Sequence, residues 1–563
     1  MSTDYNLLQD QLIGVVLMDG KVQGFSLPEI LDLLCKRKVL GFSALQHFQR
    51  HAWYAFLVQL ATMALNRAGY GPDEIISSSQ WAELLLDMTW GRHSPWCLVV
   101  DDLTKPAFLQ PPLTEETVKI KNRKTKKEET HQLTVEEVFE TFKPIPTPDA
   151  MDVLVASKNH DVKMERMQFP QPQHWIFSLV SLQTMQGYLG QGNHGISRMN
   201  GGHASRPCVT YMPSVNLGDR FVRDVELLLN DREILVEQYG FEANDGYELL
   251  WLEEWNGFKQ LQLKDCDPFY IEICRRIRFV NDENDQIRAF RKITDKQRLD
   301  AKPLKGKTGD PWTPIDTKDK KAVNIGRAGF SYNRVHSLML DDRFKPGVTQ
   351  QICDDDPEEL FFFACAMARG EGKTEGYHER RVPIPGHIVE MLRYDDTRQQ
   401  LFQRSTVRIE NASTVRNLML KPALCKLIQI DPKEIKYGDD RVIPWLVALD
   451  KDIDQIFFER LFQDVSFLDR DEAEVQWQRT LIDLGRKQLN DAIYAFPHSM
   501  VRRYRAIAAA DRKYDGAAYG LFPDVFKKRE EEQPPDKETV GEQKAAEFDR
   551  QEQDDEEQQT QES

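Results

Sequence analysis

The sequence predicts an α+β fold: a mixed N-terminal globular domain with β-hairpins and long helices over residues 1–384, a C-terminal helix bundle over residues 385–525, and a disordered acidic tail over residues 526–563. Three observations carry this. Asp19-Gly20 and Asn256-Gly257 each stand between short alternating apolar stretches, the chemistry of two-residue hairpin turns. From residue 386 to 521 apolar positions recur at three-to-four spacing, in four or five segments broken at Asn411, residues 431–440, Arg470 and Pro497, as packed helices require. From Glu530 onward the chain holds 14 acidic and 3 basic residues and is too polar to bury a core.

Taken in order, residues 12–18 and 21–27 form the first hairpin, and a short helix follows over residues 28–34. Residues 42–68 place Leu45, Phe48, Trp53, Phe56, Leu57, Leu60, Met63 and Leu65 on one face, predicting a long amphipathic helix. Residues 206–211 predict a strand entering the core and residues 221–239 a helix. Residues 247–255 and 258–263 pair as a second hairpin about Asn256-Gly257, and a further strand pair ends in residues 330–335. Residues 355–368, with Pro357 near the start and Gly370 beyond the end, predict a capped helix.

Composition narrows the class. No apolar run approaches the roughly 20 residues of a membrane span, and the N-terminus lacks the basic-then-apolar pattern of a signal peptide, so a cytoplasmic protein with no membrane partner is expected. Eight cysteines are scattered without a Cys-x-x-Cys pair, which argues for reduced thiols and against a structural zinc site; no metal or cofactor is expected. The net charge of −16 is mostly the tail, which carries −11 and leaves −5 for the rest, a balance compatible with local basic patches that hold nucleic acid.

Residues 181–212 hold six glycines (187, 190, 192, 195, 201 and 202), with Ser197, Arg198 and Arg206 among and after them. Such density outside a linker points to a shaped loop that contacts a ligand, or to an irregular surface loop rich in turns. Three basic stretches also carry two readings each, phosphate contact or a solvated surface. Residues 119–127 put six cations in nine positions. Residues 150–168 carry Lys158, His160, Lys163 and Arg166 around Met164. Residues 275–307 hold Arg275, Arg276, Arg278, Arg288, Arg291, Lys292, Lys296, Arg298, Lys302, Lys305 and Lys307.

In order along the chain these features resemble the CasA family, the large subunit of the type I-E CRISPR Cascade complex. The resemblance rests on an opening hairpin and long apolar helix; on Gly190-Gln191-Gly192-Asn193-His194-Gly195, then Ser197 to Gly202, then Pro207-Cys208-Val209-Thr210; and on Leu250-Trp251, Cys266-Asp267-Pro268, Phe330 to Val335 and Glu379-Arg380-Arg381. It spans roughly residues 5 to 520. The resemblance implies a nucleic-acid-binding N-terminal domain and a non-catalytic subunit. Its partners would be the guide RNA (crRNA), target double-stranded DNA, CasB, CasC, CasD and CasE, and a helicase-nuclease recruited in trans. It implies that Gly190, Gly192, Asn193, Gly195, Arg291, Lys292, Tyr332, Asn333 and Arg334 face the protospacer-adjacent motif (PAM) and flanking DNA. Lys158, His160, Lys163, Met164 and Arg166 would lie near the 5′ handle of the guide. The family's wedge glutamine falls on Arg334, or on Asn333 one residue earlier. Some members bind zinc through paired cysteines; here Cys274 stands alone after Asp267-Pro268 and residues 173–178 have none.

Other chemistry is poorly matched. Gly306-Lys307-Thr308 has Ala301 where a phosphate-binding loop needs its first glycine, and Gly372-Lys373-Thr374 has Met367 there. There is no His-Glu-x-x-His and no Gly-x-Ser-x-Gly. A metal-dependent nuclease or other nucleic-acid enzyme with dispersed catalytic residues is the rival reading.

Overall fold

A computed structural model describes residues 4–74, 77–121, 128–151, 167–370, 373–429, 435–465, 470–497 and 500–526. The acidic tail from residue 527 on, residues 152–166 and residues 122–127 of the first basic stretch lie outside these. The fold is mixed α and β, with helices C-terminal. It divides into compact units Met1–Gln399 and Gln400–Ser563. Among the described residues no helix is long and apolar enough to cross a membrane.

The first unit opens with strands Ile13–Leu17 and Val22–Phe25 paired about Asp19-Gly20, and Val39–Phe42 joins the other edge of Ile13–Leu17. The helix Leu27–Cys35 lies between them in sequence, its first turn held by Ser26 N–H donating to Glu29 Oε2 at 2.7 Å. The long helix Arg50–Ala68 is not one-sided: residues 51–65 are buried all round. It is packed by the helices Pro172–Met185 and Leu217–Asn230 and the strand Cys266–Ile271. Two of its polar residues are satisfied inside, Gln59 Nε2 donating to Phe269 O and Tyr270 O at 2.9 and 3.0 Å, and Tyr54 OH to Asp224 Oδ2 at 2.8 Å.

Three expectations fail here for identifiable reasons. Residues 360–370 form a strand, Leu360–Gly370, the centre of a sheet flanked by Lys373–Ile384 and Cys208–Met212. An apolar run buried on both faces has no period to separate strand from helix. Asn256-Gly257 does make a turn, Asn256 Oδ1 accepting from the Phe258 and Lys259 N–H groups at 2.9 Å, but its flanks do not pair. Trp251 and Trp255 are drawn into the core, and Tyr247–Leu249 pairs in parallel with Cys266–Ile271. Finally, residues 332–340 are the helix Tyr332–Leu340 and not a strand; the short strands Ile315–Asp316, Lys321–Ala322 and Phe344–Lys345 form the nearby sheet.

The helix Gly386–Arg393 belongs to the first unit, where Arg393 Nη2 donates to Cys353 O at 3.1 Å and Arg398 pairs with Asp342 at 2.7 Å. The second unit is helical. Asn411 does not break it: Asp395–Thr414 runs on through a wide π turn, Val415–Leu420, into Lys421–Ile428, the register shifting just before Pro422, which lacks a donor. Ile443–Val465, Arg470–Ala495 and Met500–Leu521 complete the bundle. Inside it Arg408 lies over Trp477, 5.4 Å from the ring centroid, and pairs with Asp464 and Glu474 at 2.9 and 3.0 Å.

Candidate nucleic-acid interface

The helix Pro172–Met185 ends at Gln186 and the chain enters the glycine loop. Its base is closed by Tyr188 N–H donating to Gly202 O at 3.0 Å and Ile196 N–H to Gln186 O at 2.9 Å. Its tip is a tight turn, Asn193 N–H to Gly190 O at 3.0 Å and Leu189 N–H to Asn193 O at 2.9 Å. Two glycines are required by geometry. A Cβ on Gly195 would lie 2.6 Å from the carbonyl carbon of Gly187, and Gly192, at φ +76°, would put its Cβ 2.7 Å from that of Ile293.

A second segment clamps this loop. The strand Ile287–Lys292 leads into residues 293–297, where Thr294 N–H donates to Gly192 O at 3.0 Å, His194 Nε2–H to Asp295 O at 3.1 Å and Gln297 Nε2 to Gly195 O at 3.1 Å. Arg275 Nη1 donates to His194 O. The Asn256-Gly257 turn supports the clamp from behind, Gly257 O accepting from Asp295 and Lys296 N–H at 2.9 and 3.1 Å. Outward, Gln191, Arg291 and Lys296 are exposed, with Lys296 Nζ 4.6 Å from the centroid of the exposed Phe258 ring. Lys292 is held by Glu116 at 2.6 Å. Asp295 and Asp300 are exposed as well, so the surface is mixed in charge.

On the loop's other flank, Asn200 Nδ2 donates to Ala322 O at 3.0 Å. A Cβ on Gly202 would lie 2.9 Å from Asn324 Nδ2, and Arg334 Nη2 reaches Asn324 O at 3.4 Å. The residues aligned with the wedge therefore stand beside the loop. Within that group Asn333 is exposed, Arg334 is half-buried over the Phe344 ring at 5.0 Å, with its pKa lowered by burial, and Tyr332 is buried at the start of its helix.

Beneath the loop sits a buried acid. Ser197 N–H donates to both Glu272 oxygens at 2.9 Å and Ser197 Oγ to Oε2 at 2.7 Å, yet burial pushes the Glu272 pKa up to about 7. A carboxyl with a folded pKa above its unfolded one stabilises the fold below the unfolded value, about 4.5, and that contribution is lost as pH rises toward 7. Glu248, also raised to about 7 by burial, acts in the same window. Glu272→Gln is therefore expected to flatten the decline of stability between about pH 5 and 7 by up to about 1.4 kcal/mol per pH unit. Urea unfolding of both proteins at several pH values checks this; parallel pH profiles would refute it.

The structure thus brings Gly190, Gly192, Asn193 and Gly195 together with Arg291 and Lys292, and sets Asn333 and Arg334 beside them. Lys158, His160, Lys163, Met164 and Arg166 lie outside the described residues. The basic stretch 275–307 divides. Arg275, Arg276, Arg278 and Arg298 are buried and serve the fold: Arg278 donates to Val100, Asp102 and Lys105 carbonyls at 2.8–3.0 Å, and Arg298 to Leu250, Glu253 and Glu254 carbonyls at 2.9–3.1 Å. Burial lowers the pKa values of Arg278 and Arg298 to about 10. Sequence reasoning missed Phe258 and Asn324, whose only signal was proximity to turn-forming residues.

No protein-family model matches the sequence, and no curated protein matches it. Solved structures do. The chain is similar to Cse1 from Thermobifida fusca over 92% of its own length and 98% of that chain, with a TM-score of 0.59 at 14% identity. It is similar to Cse1 from Acidimicrobium ferrooxidans over 93% and 99%, at 0.57 and 13%, and to CasA from Thermus thermophilus over 92% and 99%, at 0.55 and 12%. A chain of a CRISPR RNA-guided surveillance complex matches over 91% and 99%, at 0.55 and 9%. From its opening sheet through its C-terminal helices, this chain has the fold of the Cse1/CasA proteins.

Proposed function

We propose that this chain is the non-catalytic large subunit of a type I-E-like Cascade complex, a cytoplasmic antiviral surveillance particle. In this reading it recognises the PAM in target double-stranded DNA, helps hold the 5′ handle of the guide RNA through residues 158–166, assembles with CasB, CasC, CasD and CasE, and recruits a helicase-nuclease. Guide pairing then reads the target sequence while this subunit reads a short flanking motif. The observation that carries the reading is the glycine loop: a backbone turn fixed at base and tip, flanked by exposed Arg291 and Lys296, in a chain with the Cse1/CasA fold. The likeness to a chain of a guided surveillance complex supports the same partners.

The test is titration of the assembled complex against matched duplexes with and without the PAM. Arg291→Ala is expected to weaken both about equally and to reduce the salt-dependence slope by about 0.9, the signature of one lost phosphate contact. Replacing Asn333 and Arg334 together by Ala is expected to weaken binding to paired target more than to a target already unpaired, because a wedge acts by holding strands apart. Equal losses on the two targets would leave these residues as phosphate contacts only. DNA cleavage by the purified chain with magnesium alone would replace the whole reading with that of a nuclease.

A further inference from the structure

Away from the glycine loop, three soft ligands converge in the core of the first unit. His51 lies in the first turn of the helix Arg50–Ala68, Cys208 opens the strand Cys208–Met212, and Cys365 is in the middle of Leu360–Gly370, directly opposite Cys208 across the sheet. One ligand atom from each lies within 4.8 Å of the other two. All three side chains are buried, His51 being 4% exposed, and the polar group beside its ring among the described residues is the Cys208 thiol, which in turn neighbours the Cys365 thiol. A buried imidazole whose polar neighbours are two thiols, with no stronger donor or acceptor beside it, is weakly satisfied for a core polar group. Its ring meets the edge of Trp312 at 5.6 Å.

We propose that His51, Cys208 and Cys365 form a zinc site, the ion being held by one imidazole nitrogen and two thiolate sulfurs. The donor set selects a borderline-soft ion with tetrahedral preference, and closing the trio from its present spacing onto zinc needs only small side-chain movements. The charge balances: zinc displaces one proton from each thiol to solvent, and the dication with two thiolates is neutral, which suits a buried position. Arg220 Nη2, 3.7 Å from the Cys208 sulfur, is placed to donate to the bound thiolate. A cavity of about 350 Å³ lined by His51, Cys365 and Tyr377 leaves room for water as the fourth ligand. Cys274, aligned with the zinc cysteines of some CasA proteins, takes no part. The site would pin the long helix to the central sheet where the chain leaves the glycine loop, and three ligands from three distant elements leave no spacing motif in the sequence.

The experiment uses the full-length chain purified under reducing conditions without chelator, with metal measured by inductively coupled plasma mass spectrometry. Stoichiometric zinc is expected. Cobalt added to the stripped protein is expected to give a thiolate-to-cobalt charge-transfer band in the near ultraviolet. Cys208→Ala, Cys365→Ala and His51→Gln each lose the zinc and change the band, whereas Cys35→Ala and Cys425→Ala keep both. Should a core variant not fold, the unmodified chain decides alone. Absence of both zinc and the cobalt band in it overturns the site, as does a Cys208–Cys365 disulfide found by non-reducing peptide mapping. Zinc retained by all three folded variants overturns it too.

Discussion

Arg206→Ala is expected to destabilise the protein by about 3–5 kcal/mol, the cost of breaking a buried ion pair from one side. Arg206 and Asp310 are both fully buried, with Nε 2.5 Å from Oδ2 and Nη2 donating to Oδ1 at 3.0 Å. The guanidinium also lies over Trp312, 5.1 Å from the ring centroid. Asp310 is not only a counter-ion: its Oδ1 accepts the N–H groups of Trp312 and Thr313 at 2.9 and 3.2 Å, fixing the turn from which Trp312 O accepts the Val209 N–H at 2.9 Å. Removing the arginine leaves that carboxylate charged, buried and unopposed, whereas removing both charges together relieves most of the penalty. Arg206→Met with Asp310→Leu is therefore expected to recover part of the loss, though not the turn's hydrogen bonds. Denaturant unfolding of the full chain measures both. A single-variant cost under about 1 kcal/mol, the range of exposed pairs, would show that water reaches the site.

The same pair marks where the sequence was legible and where it was not. Asp19-Gly20 announces its hairpin because the determining interactions lie within a few residues. Arg278 and Arg298 look like surface cations in a basic stretch, because nothing local says that their partners are carbonyls at residues 100–105 and 250–254. For the Leu360–Gly370 strand, local signals actively mislead. Pro357 and Gly370 sit where helix ends would put them, while of the two strands that pair with it, Lys373–Ile384 follows at once but is rich in charged residues, and Cys208–Met212 lies some 150 residues earlier. The glycine loop was visible as a shaped loop, but its clamp was not. Thr294, Asp295 and Gln297 grip it through backbone atoms or through hydrogen bonds to its backbone, so their side-chain identities gave little signal.

That clamp sets the expected behaviour of Gly192. An L-residue at φ +76° is strained, and its Cβ would lie 2.7 Å from Ile293 Cβ and 3.2 Å from Ile293 Cγ2. The loop cannot simply move aside, because the Gly192 carbonyl accepts the Thr294 N–H and the neighbouring Gly195 is in backbone contact with Gly187. If the loop reads the PAM duplex as proposed, Gly192→Asp displaces its tip and reduces the preference for PAM-containing duplex by about 1–3 kcal/mol, the usual cost of one spoiled base-pair contact. If these glycines let the backbone approach the minor groove of that duplex, whose code is degenerate, the unmodified loop should tolerate several PAM variants with graded affinity. The loss must come from shape and not from charge, so Gly192→Lys, which adds a cation beside the phosphates, should lose the preference as well. Thermal unfolding of each variant verifies that the body stays folded, and co-purification of guide RNA verifies that assembly is intact. Titration of the assembled complex with and without the PAM then separates the causes. A Gly192→Lys complex that keeps full preference while Gly192→Asp loses it would make the effect electrostatic, and unchanged preference in both would return the loop to a purely structural role.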